Sequence, residues 1–158
     1  MRTLVLGLGN PLLGDDGVGW RVAEEIAKRV GADDRPSRQV EVDYHAGGGL
    51  TLMERMVGYD RVIIIDAMNL GQGTAGSVTC FRLDELADPF AGHLASSHET
   101  NLQTAMQLGR SMEAALPKEI LIVAIESPQV YDLSETLTPP VAQAVPLAVQ
   151  QVLQELKD

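Results

Sequence analysis

Asp15 and Asp16 lie in the stretch G-D-D-G-V-G, Asp66 closes the run R-V-I-I-I-D, and His98 sits in S-S-H-E. A folded chain that brought Asp16, Asp66 and His98 together would offer two carboxylate oxygens and an imidazole nitrogen. That donor set suits borderline divalent ions such as nickel, cobalt, iron or zinc. It leaves coordination positions open for water or for ligands from a partner. An ion held there could polarise a peptide carbonyl and lower the pKa of bound water, so metal-assisted hydrolysis is the chemistry these residues suggest.

Each residue also has a plainer explanation. Either Asp15 or Asp16 could simply cap the helix that follows. Asp66 ends an all-apolar run, where a carboxylate is costly unless paired or liganded. His98 precedes a helix, where a neutral, ligating imidazole is better placed than a cation; an ordinary surface histidine is the alternative. Asp15, His45 and Glu126 are weaker candidates: His45 ends a strand beside three glycines, and Glu126 ends another, where it could orient a ligand or bind a peptide. His93 falls in a loop where solvent exposure suffices to explain it.

Other chemistries fail on the residues. Gly7-Leu8-Gly9-Asn10-Pro11-Leu12 lacks the third glycine of the dinucleotide fingerprint, and Pro11 removes an amide donor. No glycine-rich loop ends in Gly-Lys-Ser or Gly-Lys-Thr, and no serine sits in a nucleophile elbow. His98-Glu99-Thr100-Asn101-Leu102 begins like a zinc-protease motif, but Leu102 stands where the second histidine belongs. Cys80 lies in a strand pattern and is read as core filling.

The elements that must position these groups alternate along the chain. Thr3 to Leu8 reads as a buried strand, followed by a Gly- and Asp-rich loop and a helix over Val18 to Val30 that Gly31 stops. Gln39 to Tyr44 alternates as a half-exposed strand, Leu50 to Val57 suits a short helix, and Arg61 to Ile65 is a buried strand ending in Asp66. Ser77 to Leu83 alternates as an edge strand. Ser96 and Glu99 form a capping-box pattern for a helix running to about Leu116. Glu119 to Ile125 is a further buried strand. Thr138 then caps a last helix that opens on Pro139 and reaches Leu156, with a kink or fresh start expected at Pro146. The order implies a three-layer α/β sandwich in one domain, 1–158: a mostly parallel twisted sheet, one antiparallel edge strand, and helices on both faces. In such sheets the crevice beyond the C-terminal strand ends is the usual place for a site.

Composition narrows the partners. With 12 basic and 22 acidic residues the formal net charge is −10, and no basic stripe exists for nucleic acid or for an anionic membrane. No apolar run approaches the roughly 20 residues that span a bilayer. The single cysteine excludes an intrachain disulfide and a thiolate metal cage. A cytoplasmic monomer is the expectation.

The stretch Leu6-Gly7-Leu8-Gly9-Asn10-Pro11-Leu12-Leu13-Gly14-Asp15-Asp16-Gly17-Val18-Gly19 closely resembles the N-terminal signature of the hydrogenase maturation endopeptidases. Gly58 to Ala67, Ser97-His98-Glu99, and Leu133 to Pro139 resemble later parts of that family in the same order, so the resemblance covers essentially the whole chain. It implies an endopeptidase that removes the C-terminal extension of a nickel–iron hydrogenase large-subunit precursor after nickel insertion. The metal-contacting and catalytic residues would fall on Asp16, Asp66 and His98. Nickel would arrive in the precursor, and other divalent ions could occupy the same place.

Two departures stand out. Asp16 replaces a glutamate common in the family, which shortens the carboxylate's reach by one methylene. Tyr44-His45-Ala46-Gly47 stands where many members carry Asp-Gly-Gly-Thr, implying a different recognition surface. Nickel could activate water in the grip of all three residues. It could instead mark a ready substrate while a carboxylate such as Asp16 serves as base. The reading adopted joins the two, with the substrate supplying the ion. A non-catalytic nickel metallochaperone or precursor-binding scaffold, and a generic metal-dependent peptidase, are the rival functions.

Overall fold

The computed structural model describes residues 1–31, 39–71, 73–86, 101–128 and 132–158. Among these, five strands and four α-helices follow in the order β1 (Arg2–Leu8), α1 (Val18–Val30), β2 (Gln39–His45), α2 (Gly49–Met56), β3 (Arg61–Met68), β4 (Val78–Arg82), α3 (Leu102–Ser111), β5 (Glu119–Glu126) and α4 (Pro139–Lys157). A short 3-10 turn, Gly14–Gly17, precedes α1.

The strands form one sheet in the order β2-β1-β3-β5-β4. Four run parallel, and β4 is the antiparallel edge, with Cys80 opposite Val123. The mostly parallel sandwich expected from the alternation of elements is therefore the fold. The chain leaves β1 toward β2 on one side and continues from β3 toward β5 on the other. The β1–β3 boundary is thus the topological switch, where open α/β sheets form their crevices.

The inner strands split their apolar residues between two cores, as the period of two requires. Leu4, Leu6, Leu8, Val62, Ile64 and Met68 pack under α2 and α3. Val5, Ile63, Ile65 and Ala67 pack under α1 and α4 with Val22, Ile26, Val141 and Val152. Every residue of β3 is buried, which accounts for its unbroken apolar run. The polar edge strand β2 is fastened to α2 from outside. Arg55 donates to Asp43 (2.7 Å) and Glu41 (2.6 Å), and the Tyr59 hydroxyl donates to Glu41 (2.5 Å).

Several boundaries differ from expectation. Asp66 lies inside β3, which continues to Met68. Asn101 caps α3, its side chain accepting from the Thr104 amide at 2.9 Å; the Ser96–Glu99 pattern lies outside the described residues. This helix ends at Ser111 and not near Leu116, because Glu113 takes a left-handed φ of 57°. The α4 helix continues through Pro146 as one element. The apolar stripe Val141, Ala144, Ala148, Val149 and Val152 stays buried across the proline, offsetting its interior cost of about 3 kcal/mol. None of the described helices is long and apolar enough to cross a membrane.

Candidate active site

The glycines of the first motif bring a helix start onto the sheet edge. A methyl placed on Gly19 would come within 2.5 Å of the Leu8 carbonyl oxygen and closer still to that of Ile65. A methyl on Gly7 would come within 2.5 Å of the Gly19 carbonyl oxygen. The first turn of α1 therefore rests directly on the backbone where β1 meets β3. The 3-10 turn just before it, carrying Asp15 and Asp16, lies against β3.

Asp16 is buried in that turn, and its Oδ2 accepts from the Asn10 amide at 2.9 Å. Asn10 lies two residues beyond the end of β1, so this bond draws the carboxylate back over the C-terminal edge of the sheet. Asp66 is fully buried. The β1–β3 register pairs Gly7 with Ile65; one step further sets Leu8 beside Asp66. By alternation Asp66 shares the face of Ile64 and Met68, toward α2 and α3. Asp16, in a turn that contacts β3, and Asp66, within β3, are 50 residues apart in sequence. His98 and His93 lie outside the described residues.

The weaker candidates turn out to have other tasks. Asp15 does not cap α1, whose N-cap is Gly17 with no side-chain cap bond, and Asp16 does not either. Asp15 instead accepts from the Thr138 amide (2.7 Å) and the Thr138 hydroxyl (2.8 Å), tying the loop to the start of α4. Thr138 is the N-cap residue expected from its sequence, but its side chain is used in this tie and not on its own helix. Glu126 accepts from the amides of Leu70 (3.1 Å) and Gly71 (2.9 Å), shaping the loop after β3. Among the described residues, no three His, Cys, Asp or Glu side chains are grouped so as to hold a metal ion. Asp15, His45 and Glu126 therefore do not complete a set with Asp16 and Asp66.

Asp15→Ala removes both bonds to Thr138 from the buried side chain at position 15. It is expected to lower unfolding free energy by about 2 kcal/mol, at roughly 1 kcal/mol per lost bond, measured as a shift in the urea midpoint at unchanged slope.

His45 stands on the same face as Leu8, its partner in the β1–β2 register, and hence on the face of Asp66. Two strand spacings, roughly 10 Å, separate the two backbones. Its Nε2 lies 3.2 Å from the Thr51 hydroxyl, which donates its single proton to the Gly48 carbonyl at 3.1 Å. The ring is close to Gly47, where a Cβ would come within 2.8 Å of Nε2. The departure at Tyr44-His45-Ala46-Gly47 therefore presents an oriented imidazole at the site's flank.

Cys80 sits elsewhere. It lies on β4 and packs with the core under α1 and α4, away from Asp66's face. Burial, reinforced by Glu155 with its Oε1 3.9 Å from the sulfur, pushes its thiol up to about 11 from 9.0. At pH 8 the thiolate fraction should be about a hundredfold below that of a free thiol with the 9.0 value. Alkylation by iodoacetamide is expected to be slower by about that factor, read from the mass of the adduct over time.

Sequence and structure comparisons converge on one family. The hydrogenase maturation protease family (HycI) matches residues 20–155. The hydrogenase 2 maturation protease of Escherichia coli K12 is 30% identical over 158 residues, spanning 100% of this chain and 92% of that protein. The structure of the hydrogenase-maturating endopeptidase HybD from E. coli superposes with a TM-score of 0.74 at 28% identity, covering 99% of this chain and 93% of that one. A hydrogenase 2 maturation peptidase from a Thaumarchaeota archaeon superposes at 0.65 with 28% identity, covering 99% and 98%. The fold and these likenesses agree: the chain belongs to the hydrogenase maturation protease family.

Proposed function

We propose that the protein removes the C-terminal extension of a nickel–iron hydrogenase large-subunit precursor after nickel insertion, and that the nickel arrives as part of that substrate. The observation that supports the reading is that a chain of this family carries two buried carboxylates, Asp16 in a turn that contacts β3 and Asp66 in β3 itself. Their oxygens fit a divalent ion brought in by the precursor, with His98 as the nitrogen donor. Bound there, nickel would polarise the scissile carbonyl.

The chain's own contributions follow from the local geometry. Asp66 is fixed in a fully buried strand and offers a carboxylate that cannot swing away. Asp16, its carboxylate oriented by the Asn10 amide at Oδ2, takes a proton from the attacking water. That proton passes to the amine released when the peptide bond breaks. Cys80, off the site and with its thiol held protonated, has no part in the attack. The Cys80→Ala protein is expected to cleave at the wild-type rate.

Incubating the wild-type chain with nickel-loaded and nickel-free precursor, and weighing each precursor by intact mass, tests this function. The nickel-loaded form alone should lose its extension. A stable complex of unchanged mass would identify a scaffold or metallochaperone. Equal cleavage of nickel-free precursor and unrelated peptides would identify a generic peptidase.

A further inference from the structure

The short turn Gly14–Gly17 has no side-chain cap at its start, and α1, which follows it, has none either. Its place is set by a distant segment. The Gly14 amide donates to the Ser134 carbonyl at 2.7 Å, and the Ser134 amide donates to the Leu12 carbonyl at 2.8 Å. Asp15 accepts from the amide and the hydroxyl of Thr138, at 2.7 Å and 2.8 Å, across 123 positions of sequence. The segment between these contacts is itself ordered. The Thr136 amide donates to the Ser134 hydroxyl oxygen at 3.0 Å, and Arg21 of α1 donates to the Glu135 carbonyl at 2.9 Å. Ser134 to Thr138 therefore braces the turn as a splint, bonded to it at both ends.

The sequence of α4 explains why Thr138 is available for this. An N-cap hydroxyl ordinarily accepts from the second or third amide of its own helix. Here the first two helical residues are Pro139 and Pro140, which have no amide hydrogen. Thr138 makes no side-chain cap bond to α4, and its hydroxyl donates to Asp15 instead. A local preference set aside in this way is expected where function takes precedence over stability. Asp15 and Asp16 are consecutive and both buried, and consecutive Cα atoms are only about 3.8 Å apart. The bonds that fix Asp15 thus fix the backbone from which Asp16 projects. The Asp16 carboxylate is then oriented by the Asn10 amide at 2.9 Å.

We infer that Thr138 is a positioning residue for the cleavage: through Asp15 it sets the place of the Asp16 carboxylate, without itself touching substrate or ion. The inference deepens the proposed protease function and rests on it. A displacement of about 1 Å in a reacting group can cost about a hundredfold in rate. Loss of one of the two bonds to Asp15 should therefore show in kcat and not in KM.

The test compares three variants. Thr138→Val removes the hydroxyl and keeps the amide bond and the side chain's size, whereas Thr138→Ser keeps the hydroxyl. Position 138 is exposed, so both proteins should fold. Val152→Ala, buried toward the other end of α4, controls for lost stability alone. With nickel-loaded precursor, well below each unfolding midpoint, Thr138→Val should lower kcat about tenfold with KM within about twofold. Thr138→Ser and Val152→Ala should stay within about twofold of wild type in both constants. Exchange of the Asn10 amide, followed by NMR without precursor, should quicken about tenfold in Thr138→Val and not in the other two. Wild-type kcat or unchanged Asn10 exchange in Thr138→Val, or an equal fall in kcat in either other variant, would overturn the inference. A rise in KM alone would assign Thr138 to substrate binding and also overturn it. Quicker Asn10 exchange in Thr138→Val, when the wild type never shortens the precursor, would sink the protease function and leave the positioning of Asp16 standing.

Discussion

Asp66→Asn should leave the chain folded and lower cleavage of nickel-loaded precursor by a factor of about 10²–10⁴. This corresponds to about 3–5 kcal/mol of lost transition-state stabilisation. The substitution keeps the side chain's size inside β3 and removes the negative charge. Asp66 is fully buried in a strand whose neighbours Ile64, Ile65 and Ala67 are apolar. The substitution is close to isosteric, so the thermal midpoint of the variant should stay close to that of wild type. The comparison needs both readouts, cleavage by intact mass and unfolding by circular dichroism. An active Asp66→Asn protein would remove Asp66 from the chemistry. An inactive protein that has also unfolded would make Asp66 a structural residue.

Gly19→Ala should be the most damaging single methyl in the first motif. Its Cβ would meet the carbonyl oxygens of Leu8 and Ile65, which belong to paired strand backbone and cannot turn aside. Overpacking usually costs about 1–3 kcal/mol; fixed backbone neighbours place this case at the upper end, about 3 kcal/mol. At roughly 2–4 °C per kcal/mol for a chain of this size, the midpoint should fall by about 6–12 °C. Cleavage should also fall in the remaining folded protein, because relief requires the start of α1 to lift from the sheet and carry Asp16 with it. Gly31→Ala is the control: Gly31 has an ordinary helical φ of −65°, so alanine should be neutral or mildly stabilising. Equal midpoints for the two variants would refute the close-approach account.

The parts of the fold that were legible in the sequence were those written in local patterns. The spacing of Val22, Ile26 and Val30, with Gly31 after it, marks α1 at its observed limits. The run Arg61-Val-Ile-Ile-Ile marks β3, and its terminal carboxylate singles out Asp66 because apolar surroundings make a charge expensive. Where the local signal had a long-range competitor, it was not enough. Thr138 reads as a cap, yet its hydroxyl goes to Asp15, 123 positions away. Glu126 reads as a residue that could orient a ligand or bind a peptide, and its observed partners are the two backbone amides after β3. The end of α3 depends on a left-handed Glu113, a residue type that gives no warning of it. Pro146 suggests a kink or a fresh start, and the helix runs through it without restarting.

Within the site, Asp16 and Asp66 could be named from sequence because two acids at strand ends of an α/β pattern are few enough to consider. The close approach of Gly19 and the bridge of Leu13 to Ser134 could not, since they depend on strand order and on contact between distant loops. The glycines in the first motif were visible as shaped backbone; which backbone they touch was not.

The claim beneath the proposed chemistry is that Asp16, Asp66 and His98 reach one divalent ion. Crystals of the protein soaked in nickel, with diffraction recorded on both sides of the nickel absorption edge, measure this directly. One anomalous peak is expected, with a carboxylate oxygen of Asp16, one of Asp66 and a ring nitrogen of His98 each about 2.0–2.2 Å away, the range for borderline divalent metals. A peak that touches only one of the three, or nickel bound at another place with these side chains turned apart, would contradict the account.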